Sequence, residues 1–147
     1  MHIRNSIKAI IIQNHHILLT KNNDGHEFYL CPGGGQDFAE SFHETLKREC
    51  LEEAGAKVDA GELLFVREYI EDRDGKPGQH AVECYFHCHL LDSQLLEPTE
   101  PDKYQVDVEW VPFERLELIH MYPTKLKDYL LQYIKGEPSP VYLGNIN

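Results

Sequence analysis

Short apolar runs dominate the chain and predict a protein rich in β-strands. Each run has four to twelve residues and is bounded by polar residues, glycine or proline, which is typical of strands buried in a sheet. Asn14-His15 separates the first two runs and favours a hairpin between them. The predicted strands are residues 6–13, 16–21, 28–31, 63–70, 80–91 and 105–111.

Two other segments have the spacing of an amphipathic helix. In the first, Phe42, Leu46, Cys50 and Ala54 form an i,i+4 row that would face a core, and Gly55 is placed to end the helix. The second is predicted to begin at Pro123 and to stop at Gly136. Its residues at core spacing are Leu126, Leu130, Tyr133 and Ile134.

Residues rich in turn formers are predicted to connect these elements. Residues 71–79, which read EDRDGKPGQ, are expected to form a mobile loop, and residues 113–118 a short helical turn. We assign residues 1–137 to a single domain and residues 138–147 to a C-terminal tail. The order strands, helix, strands, helix predicts an α/β (α+β) protein, a three-layer α/β/α sandwich around a mixed sheet.

The chain has 147 residues and a formal net charge of −11. This charge argues against binding to a nucleic acid polymer or to an anionic membrane. No segment approaches the length of a membrane span, and the N-terminus lacks the apolar core of a signal peptide. The four cysteines form no CxxC pair, so we expect reduced thiols in a cytoplasmic protein.

A zinc site in the segment from Cys84 to His89 is disfavoured. In a strand, Cys84 and Cys88 would lie about 13 Å apart, which is too far for one tetrahedral ion. Alternating packing of the strand explains this segment better.

Three acidic residues on the first helix suggest a metal site. At about 100° per residue, Glu49, Glu52 and Glu53 fall within an arc of about 100°. Like charges this close repel one another, whereas carboxylate oxygens are the ligands that Mg²⁺ and Mn²⁺ prefer. The alternative is an ordinary surface helix with an acidic stripe. Arg48 is placed to hold one of the carboxylates.

Three consecutive glycines precede this helix in a predicted loop and permit close approach of the backbone to a ligand. Gly33-Gly34-Gly35 allows positive φ angles. No Gly-Lys-Ser/Thr follows, which excludes a Walker loop, and the spacing does not fit the dinucleotide fingerprint.

The glycines and the acidic helix together resemble the Nudix hydrolase signature. Every fixed polar and glycine position of the signature is filled. These positions are Gly34, then Glu40 after five residues, and then, after seven more, those within the segment RECLEEAGA at residues 48–56. Cys50 and Ala56 occupy the two aliphatic positions, which they fill weakly. The resemblance implies the same sandwich fold that the order of elements predicts.

The resemblance also implies roles for individual residues. Glu49 and Glu53 correspond to the principal metal ligands, and Glu52 to a shared ligand or the general base. The backbone carbonyl of Gly33 would complete the coordination. Arg48 corresponds to the residue that orients the glutamates, and Glu40 corresponds to the one that braces the loop. The catalytic set is therefore Glu52, Glu49 and Arg48, with Mg²⁺ or Mn²⁺ as cofactor.

The implied reaction is hydrolysis of a phosphoanhydride bond in a nucleoside diphosphate linked to another group. Damaged nucleoside triphosphates, ADP-ribose, nucleotide sugars and dinucleoside polyphosphates all stay open as substrates. Outside the motif, Glu100 and Asp102 are candidates for a loop base. Candidate substrate contacts are Arg67, Tyr69 and Tyr85, although such side chains more often pack with their heads in water. Many relatives form dimers, which leaves a homodimer open.

Two other functions fit a fold of this kind. One is a nucleotide-sensing module without turnover, which typically has a degraded glutamate cluster, whereas the cluster here is complete. The other is an isomerase acting on an isoprenoid diphosphate. That chemistry would need a reactive cysteine, and the cysteines here have no evident site around them.

Overall fold

The computed structural model describes residues 2–147 and shows a mixed sheet between two helices. Within these residues the helices are α1 (Phe42–Ala54) and α2 (Leu126–Ile134), and a 3-10 turn spans Phe113–Arg115. The strands are β1 (Arg4–Gln13), β2 (His16–Asn23), β3 (Glu27–Leu30), β4 (Gly33–Gly35), β5 (Val58–Arg73), β6 (Lys76–Leu90), β7 (Gln105–Pro112) and β8 (Tyr142–Asn145).

Strand β1 is the centre of the sheet and pairs with different neighbours along its length. The main path runs β3-β2-β1-β6-β5-β8, with β4 beside β1 and β7 beside β2. The pairs β1–β6 and β5–β8 are parallel, and the others are antiparallel. On its outer edge, β1 pairs with β2 at residues 12–13 and with β4 at residues 6–8. The sheet therefore divides at β1, and the glycine strand β4 lies in the division.

The two faces of the sheet carry separate apolar cores, one under each helix. On the first face, Ile7 and Ile11 of β1 pack in one cluster with Leu46 and Cys50 of α1. On the opposite face, Ile10 belongs to the cluster that includes the buried leucines of α2. This alternation follows from the two-residue period of a strand. The predicted three-layer sandwich with a mixed sheet is confirmed.

The predicted mobile loop at residues 71–79 is wrong. Strand β5 continues to Arg73 and β6 begins at Lys76, and these two residues pair directly. Asp74 and Gly75 form the turn with φ angles of 49° and 77°. Two successive positive φ angles match the right-handed twist of the flanking strands, which lets a two-residue turn close a long hairpin.

Two other boundaries differ from the sequence prediction. The three glycines form strand β4 rather than a loop, because their backbone groups pair with the outer edge of β1. Helix α2 begins at Leu126, whose N–H bonds the carbonyl of Pro123 in a preceding turn. Within residues 2–147, no helix has the length and apolar composition that crossing a bilayer requires.

Part of the predicted C-terminal tail, residues 138–147, packs against the rest of the chain. Tyr142–Asn145 forms β8, which pairs in parallel with β5 at the edge of the sheet. Leu143 and Ile146 are buried in the core beneath α2. The C-terminal segment therefore completes both the sheet and one of its cores.

Candidate active site

Helix α1 is fixed at both ends by local signals in the sequence. The hydroxyl of Ser41 accepts a bond from the N–H of Glu44 at 3.1 Å, and the Glu44 carboxylate accepts one from the N–H of Ser41 at 3.4 Å. This is a capping box, which satisfies two of the free N–H groups at the helix start. At the other end, Gly55 adopts the left-handed conformation, with φ of 62°.

Arg48 is the centre of the polar network beside the glycine strand. Its Nε donates to Glu40 Oε2 at 2.7 Å, and its Nη1 donates to Glu49 Oε1 at 2.8 Å and to Glu52 Oε2 at 3.2 Å. Its Nη2 donates to the carbonyl of Gly35 at 3.0 Å. One guanidinium therefore ties α1 to β4 and orients two of the three glutamates.

Glu40 holds the connection between β4 and α1. Its Oε1 accepts bonds from the N–H of Asp37 at 2.9 Å and from the hydroxyl of Thr45 at 3.0 Å. The hydrogen bond from Arg48 is the main reason that the pKa of Glu40 falls to about 2. Glu40 is therefore ionised at any physiological pH and lies where the motif resemblance predicts a brace.

The backbone of β4 approaches its neighbours too closely for a side chain. A Cβ on Gly34 would lie 2.5 Å from the Glu49 Cδ atom. A Cβ on Gly33, whose φ is 139°, would lie 2.1 Å from the carbonyl oxygen of Ile7. Only glycine permits this approach, which brings the Glu49 carboxylate against the backbone of β4.

Glu53 differs from its two neighbours because it is buried. The residue is 2 % exposed, and its Oε1 has no hydrogen-bond partner among the described residues. Burial is the main cause that raises the pKa of Glu53 to about 8. The negative charges of Asp102 and Glu49 raise this pKa further, whereas the charge of Lys8 opposes them. A buried carboxylate with an unsatisfied oxygen is costly unless something pairs with it.

The three glutamates do not already converge on one point. Within residues 2–147, no three His, Cys, Asp or Glu side chains are arranged as a metal-binding group. Arg48 draws Glu49 and Glu52 to one side, and Glu53 lies in the interior. The donor set still fits a hard divalent cation, because it combines carboxylates, one buried oxygen that the described residues leave unsatisfied, and backbone carbonyls of β4 beside Glu49.

The loop between β6 and β7 packs on the C-terminal end of α1. The N–H of Leu96 bonds the carbonyl of Gly55 at 2.8 Å, and the N–H of Glu100 bonds the carbonyl of Glu52 at 2.9 Å. The charge of Glu100 helps to raise the pKa of Glu52, although burial is the main cause. Both candidate loop bases, Glu100 and Asp102, thus belong to a loop whose charges act on the α1 glutamates.

Arg67 and Tyr69, the predicted substrate contacts, border a cavity of about 420 Å³. The Arg67 guanidinium lies 5.3 Å from the centre of the Tyr69 ring, and its Nη1 bonds the carbonyl of Ile146. Tyr85 is instead buried, and its hydroxyl donates to Glu83. Arg4, Ser6 and Glu83 also line the cavity, and sequence reasoning missed all three.

All four cysteines are free and buried. Cys84 and Cys88 lie in the core on the α1 face, as alternating packing of the strand predicts. Burial raises the pKa of the Cys88 thiol to about 12, so this thiol is not reactive.

Comparison with known proteins bears on the family and the fold of this chain. A sequence model of the NUDIX domain matches residues 2–133. A NUDIX hydrolase structure from Nitrosomonas europaea superposes with a TM-score of 0.75 at 23% identity, over 100% of this chain and 80% of its own. An ADP-ribose pyrophosphatase from Streptococcus suis 89-1591 superposes with a TM-score of 0.67 at 22% identity, over 96% of this chain and 98% of its own. A UDP-X diphosphatase superposes with a TM-score of 0.70 at 22% identity, over 97% of this chain and 68% of its own.

These similar structures share the fold, and the family match covers nearly the whole chain. The protein therefore belongs to the NUDIX family and is an enzyme of the pyrophosphohydrolase class, which acts on acid anhydrides. The resemblance read from the motif is confirmed.

Proposed function

We propose that this enzyme hydrolyses a phosphoanhydride bond in a nucleoside diphosphate linked to another group and uses Mg²⁺ or Mn²⁺. The observation that carries the proposal is the buried carboxylate of Glu53, whose Oε1 has no hydrogen-bond partner within the described part of the chain. The ionised form of this carboxyl is costly in a buried position, and a bound cation would offset that cost. A ligand role explains why the group is retained there.

The residues that would hold the cation are Glu49, Glu52, Glu53 and the backbone carbonyl of Gly33. When bound, the cation would neutralise phosphate charge and lower the pKa of an attacking water molecule. The close contact between Gly34 and the Glu49 carboxylate supports this set, because it brings a carboxylate next to the strand that carries the Gly33 carbonyl. The family uses such cations in general, and the choice between Mg²⁺ and Mn²⁺ is part of the proposal.

The chain's own residues would then position the reacting groups and accept a proton. Arg48 orients Glu49 and Glu52 through one nitrogen, so these carboxylates can be presented together. Burial raises the pKa of Glu52, which makes it a better proton acceptor than an exposed glutamate. Glu100 or Asp102 would serve as the base if Glu52 is fully engaged as a ligand.

The substrate that we propose is a small nucleotide derivative, of the ADP-ribose, nucleotide sugar or nucleoside triphosphate type. Arg4 and Arg67 at the cavity supply positive charge that the chain as a whole lacks. The Tyr69 ring offers a flat surface for a base or sugar. Two of the similar structures carry names that state diphosphate substrates, UDP-X and ADP-ribose.

A substrate panel tests this proposal. It should contain ADP-ribose, nucleotide sugars, dinucleoside polyphosphates and both normal and oxidised nucleoside triphosphates, each with Mg²⁺ and with Mn²⁺. We expect turnover that a chelator abolishes and that Glu53→Gln reduces roughly 100-fold or more. Glu44→Gln on the same helix is the matched control, because glutamine also serves in a capping box. Nucleotide binding without any turnover would contradict the proposal and favour a sensing role.

We also propose a cytoplasmic location and a homodimer. The four free, buried thiols support a reducing compartment. The homodimer rests on the family resemblance alone, and analytical ultracentrifugation tests it. A monomer at micromolar concentration would overturn that part of the proposal.

A further inference from the structure

One row of paired residues leads across the sheet from β4 to the cavity that Arg67 and Glu83 line. Gly35 of β4 pairs with Ser6 of β1, Ser6 pairs with Glu83 of β6, and Glu83 pairs with Arg67 of β5. Neighbouring strands are about 4.8 Å apart, so the Cα atoms of Gly35 and Glu83 are separated by roughly 10 Å. Ser6 and Glu83, which line the cavity, therefore lie in the same row as Gly35.

Only one oxygen of the Glu83 carboxylate accepts hydrogen bonds from the described residues. The Arg67 Nε and the Tyr85 hydroxyl both donate to its Oε1, each at 2.7 Å. The described residues make no hydrogen bond to Oε2, which is not among the fully buried unpartnered atoms. The side chain is 14 % exposed and lines the cavity. Oε2 is therefore a fixed acceptor that faces the open space.

Glu83 is ionised at neutral pH in spite of its burial. Burial alone would raise its pKa, but the positive charges of Lys8 and Arg67 outweigh this effect and lower the pKa below its ordinary value. An ionised carboxylate accepts hydrogen bonds and donates none. Oε2 would therefore attract an N–H or O–H group and repel a phosphate oxygen.

Arg4 lines the side of the cavity that is next to β4. Its Nε lies 2.7 Å from the position that a Cβ on Gly35 would occupy, so the guanidinium rests on β4. Arg4 is therefore one cation beside both the glycine strand and the cavity, and Lys8, which pairs with Gly33 and whose charge acts on Glu83, is another. A phosphate-containing ligand would place its anionic part at Arg4 and its neutral part toward Glu83.

We propose that Glu83 is a specificity-determining residue whose Oε2 accepts a hydrogen bond from the nucleoside part of the substrate, either a base amino group or a sugar hydroxyl. This inference rests on the proposed function. It assigns the far end of the cavity to a neutral donor and the end at β4 to phosphate. A site built to bond such a donor rejects ligands that lack it, because the buried acceptor is then left unpaired.

Binding measurements with matched ligands in the presence of Mg²⁺ test the proposal. ADP, GDP and CDP are each compared with the analogue that lacks only its base amino group, and ADP and UDP are each compared with their 2′-deoxy and 3′-deoxy forms. Inorganic pyrophosphate reports on the metal and phosphate end alone. The variant Glu83→Gln keeps one oxygen for Arg67 and Tyr85 but places an NH₂ donor at the position of Oε2.

We expect the wild-type protein to prefer the donor-bearing member of at least one pair by about tenfold or more. Glu83→Gln should reduce that preference to near unity and leave pyrophosphate binding unchanged. The amino pairs and the deoxy pairs distinguish a base donor from a sugar donor. Glu68→Gln is the control, because Glu68 is adjacent to Arg67 on β5 but points to the opposite face.

Three results would overturn the inference. In the first, the wild-type protein binds both members of every pair equally well. In the second, Glu83→Gln keeps the wild-type preference. In the third, Glu83→Gln loses pyrophosphate binding and nucleotide binding to the same degree. Failure of the wild-type protein to bind pyrophosphate at all would instead contradict the proposed function. If Glu83→Gln does not fold, the same binding measurements are made with Glu83→Asp, whose shorter side chain keeps the charge beside Arg67 but withdraws the carboxylate from the cavity. The same results would then support or overturn the inference.

Discussion

The side-chain amide of Gln105 donates a hydrogen bond to the backbone carbonyl of Glu53 at 2.7 Å. The Gln105 Oε1 accepts a bond from the N–H of Asp102 at 3.2 Å, so one side chain connects the loop to the end of α1. The last carbonyls of a helix have no partner within it. Gln105 satisfies one of them at the residue that carries the buried carboxylate.

Replacing Gln105 by leucine should therefore destabilise the protein. The change leaves the Glu53 carbonyl without its donor, which costs about 1–3 kcal/mol of unfolding free energy. Urea denaturation measures the loss. Gln94→Leu in the same loop is the control, because Gln94 is exposed and its substitution should change stability by less than about 0.5 kcal/mol. Equal effects of the two substitutions would show that the bond does not matter.

Helix α1 and the glycine run before it were predictable because their signals are local, whereas the pairing of these glycines with β1 as strand β4 was not. The i,i+4 row and Gly55 define α1, and the motif from Gly34 to residue 56 fixes which side chains face the site. The turn at Asp74-Gly75 carried an equally local signal, since Asp-Gly flanked by strand-forming residues favours a tight hairpin. The prediction of a mobile loop gave too much weight to the polar composition of that segment.

The rest of the site depends on pairings between distant parts of the chain. Glu83 meets Arg67 and Ser6 only through the register of three strands. Strand β8 pairs in parallel with β5, which no short-range pattern indicates. A helical wheel also cannot show that Glu53 is buried while Glu52 is not, because the difference arises from the strands that α1 packs against.

Gly34→Ala should impair turnover while leaving the fold intact. The added Cβ would lie 2.5 Å from the Glu49 Cδ atom, so the flexible side chain must move and its carboxylate is misplaced. A displacement of about 1 Å in a catalytic group can cost roughly 100-fold in rate. Steady-state kinetics and circular dichroism measure the two effects.

Gly78→Ala is a matched control for that variant. A Cβ on Gly78 would also meet a carboxylate side chain, that of Glu71, at 2.7 Å. This contact is in the hairpin between β5 and β6, away from the glutamates of α1. Turnover in Gly78→Ala should equal that of the wild type. A similar loss in both variants would mean that Gly34 has no special relation to the site.

The metal-free protein should lose stability as the pH rises from about 5 to about 8. Burial raises the pKa of Glu53 from 4.5 to about 8, so in this range the folded state binds a proton that the unfolded state has released. The unfolding free energy therefore falls with pH, with a limiting slope of about 1.4 kcal/mol per pH unit. Denaturation of chelator-treated protein at several pH values checks this.

Two comparisons isolate the contribution of Glu53 to that pH dependence. Glu53→Gln cannot titrate, so its stability should vary less over the same range. Saturating Mg²⁺ should also offset the loss, because a cation stabilises the ionised carboxylate. If the wild type and Glu53→Gln show the same pH profile, Glu53 is not the titrating group.

The most direct measurement is the affinity of the protein for Mn²⁺, determined by electron paramagnetic resonance for the wild type, Glu53→Gln and Glu44→Gln. Our account predicts that Glu53→Gln weakens Mn²⁺ binding about 10-fold to 100-fold, because it removes a proposed ligand oxygen to which residues 2–147 make no hydrogen bond. Glu44→Gln, which is on the same helix but outside the site, should bind like the wild type. Unchanged affinity in Glu53→Gln would contradict the assignment of this buried carboxylate to a metal site.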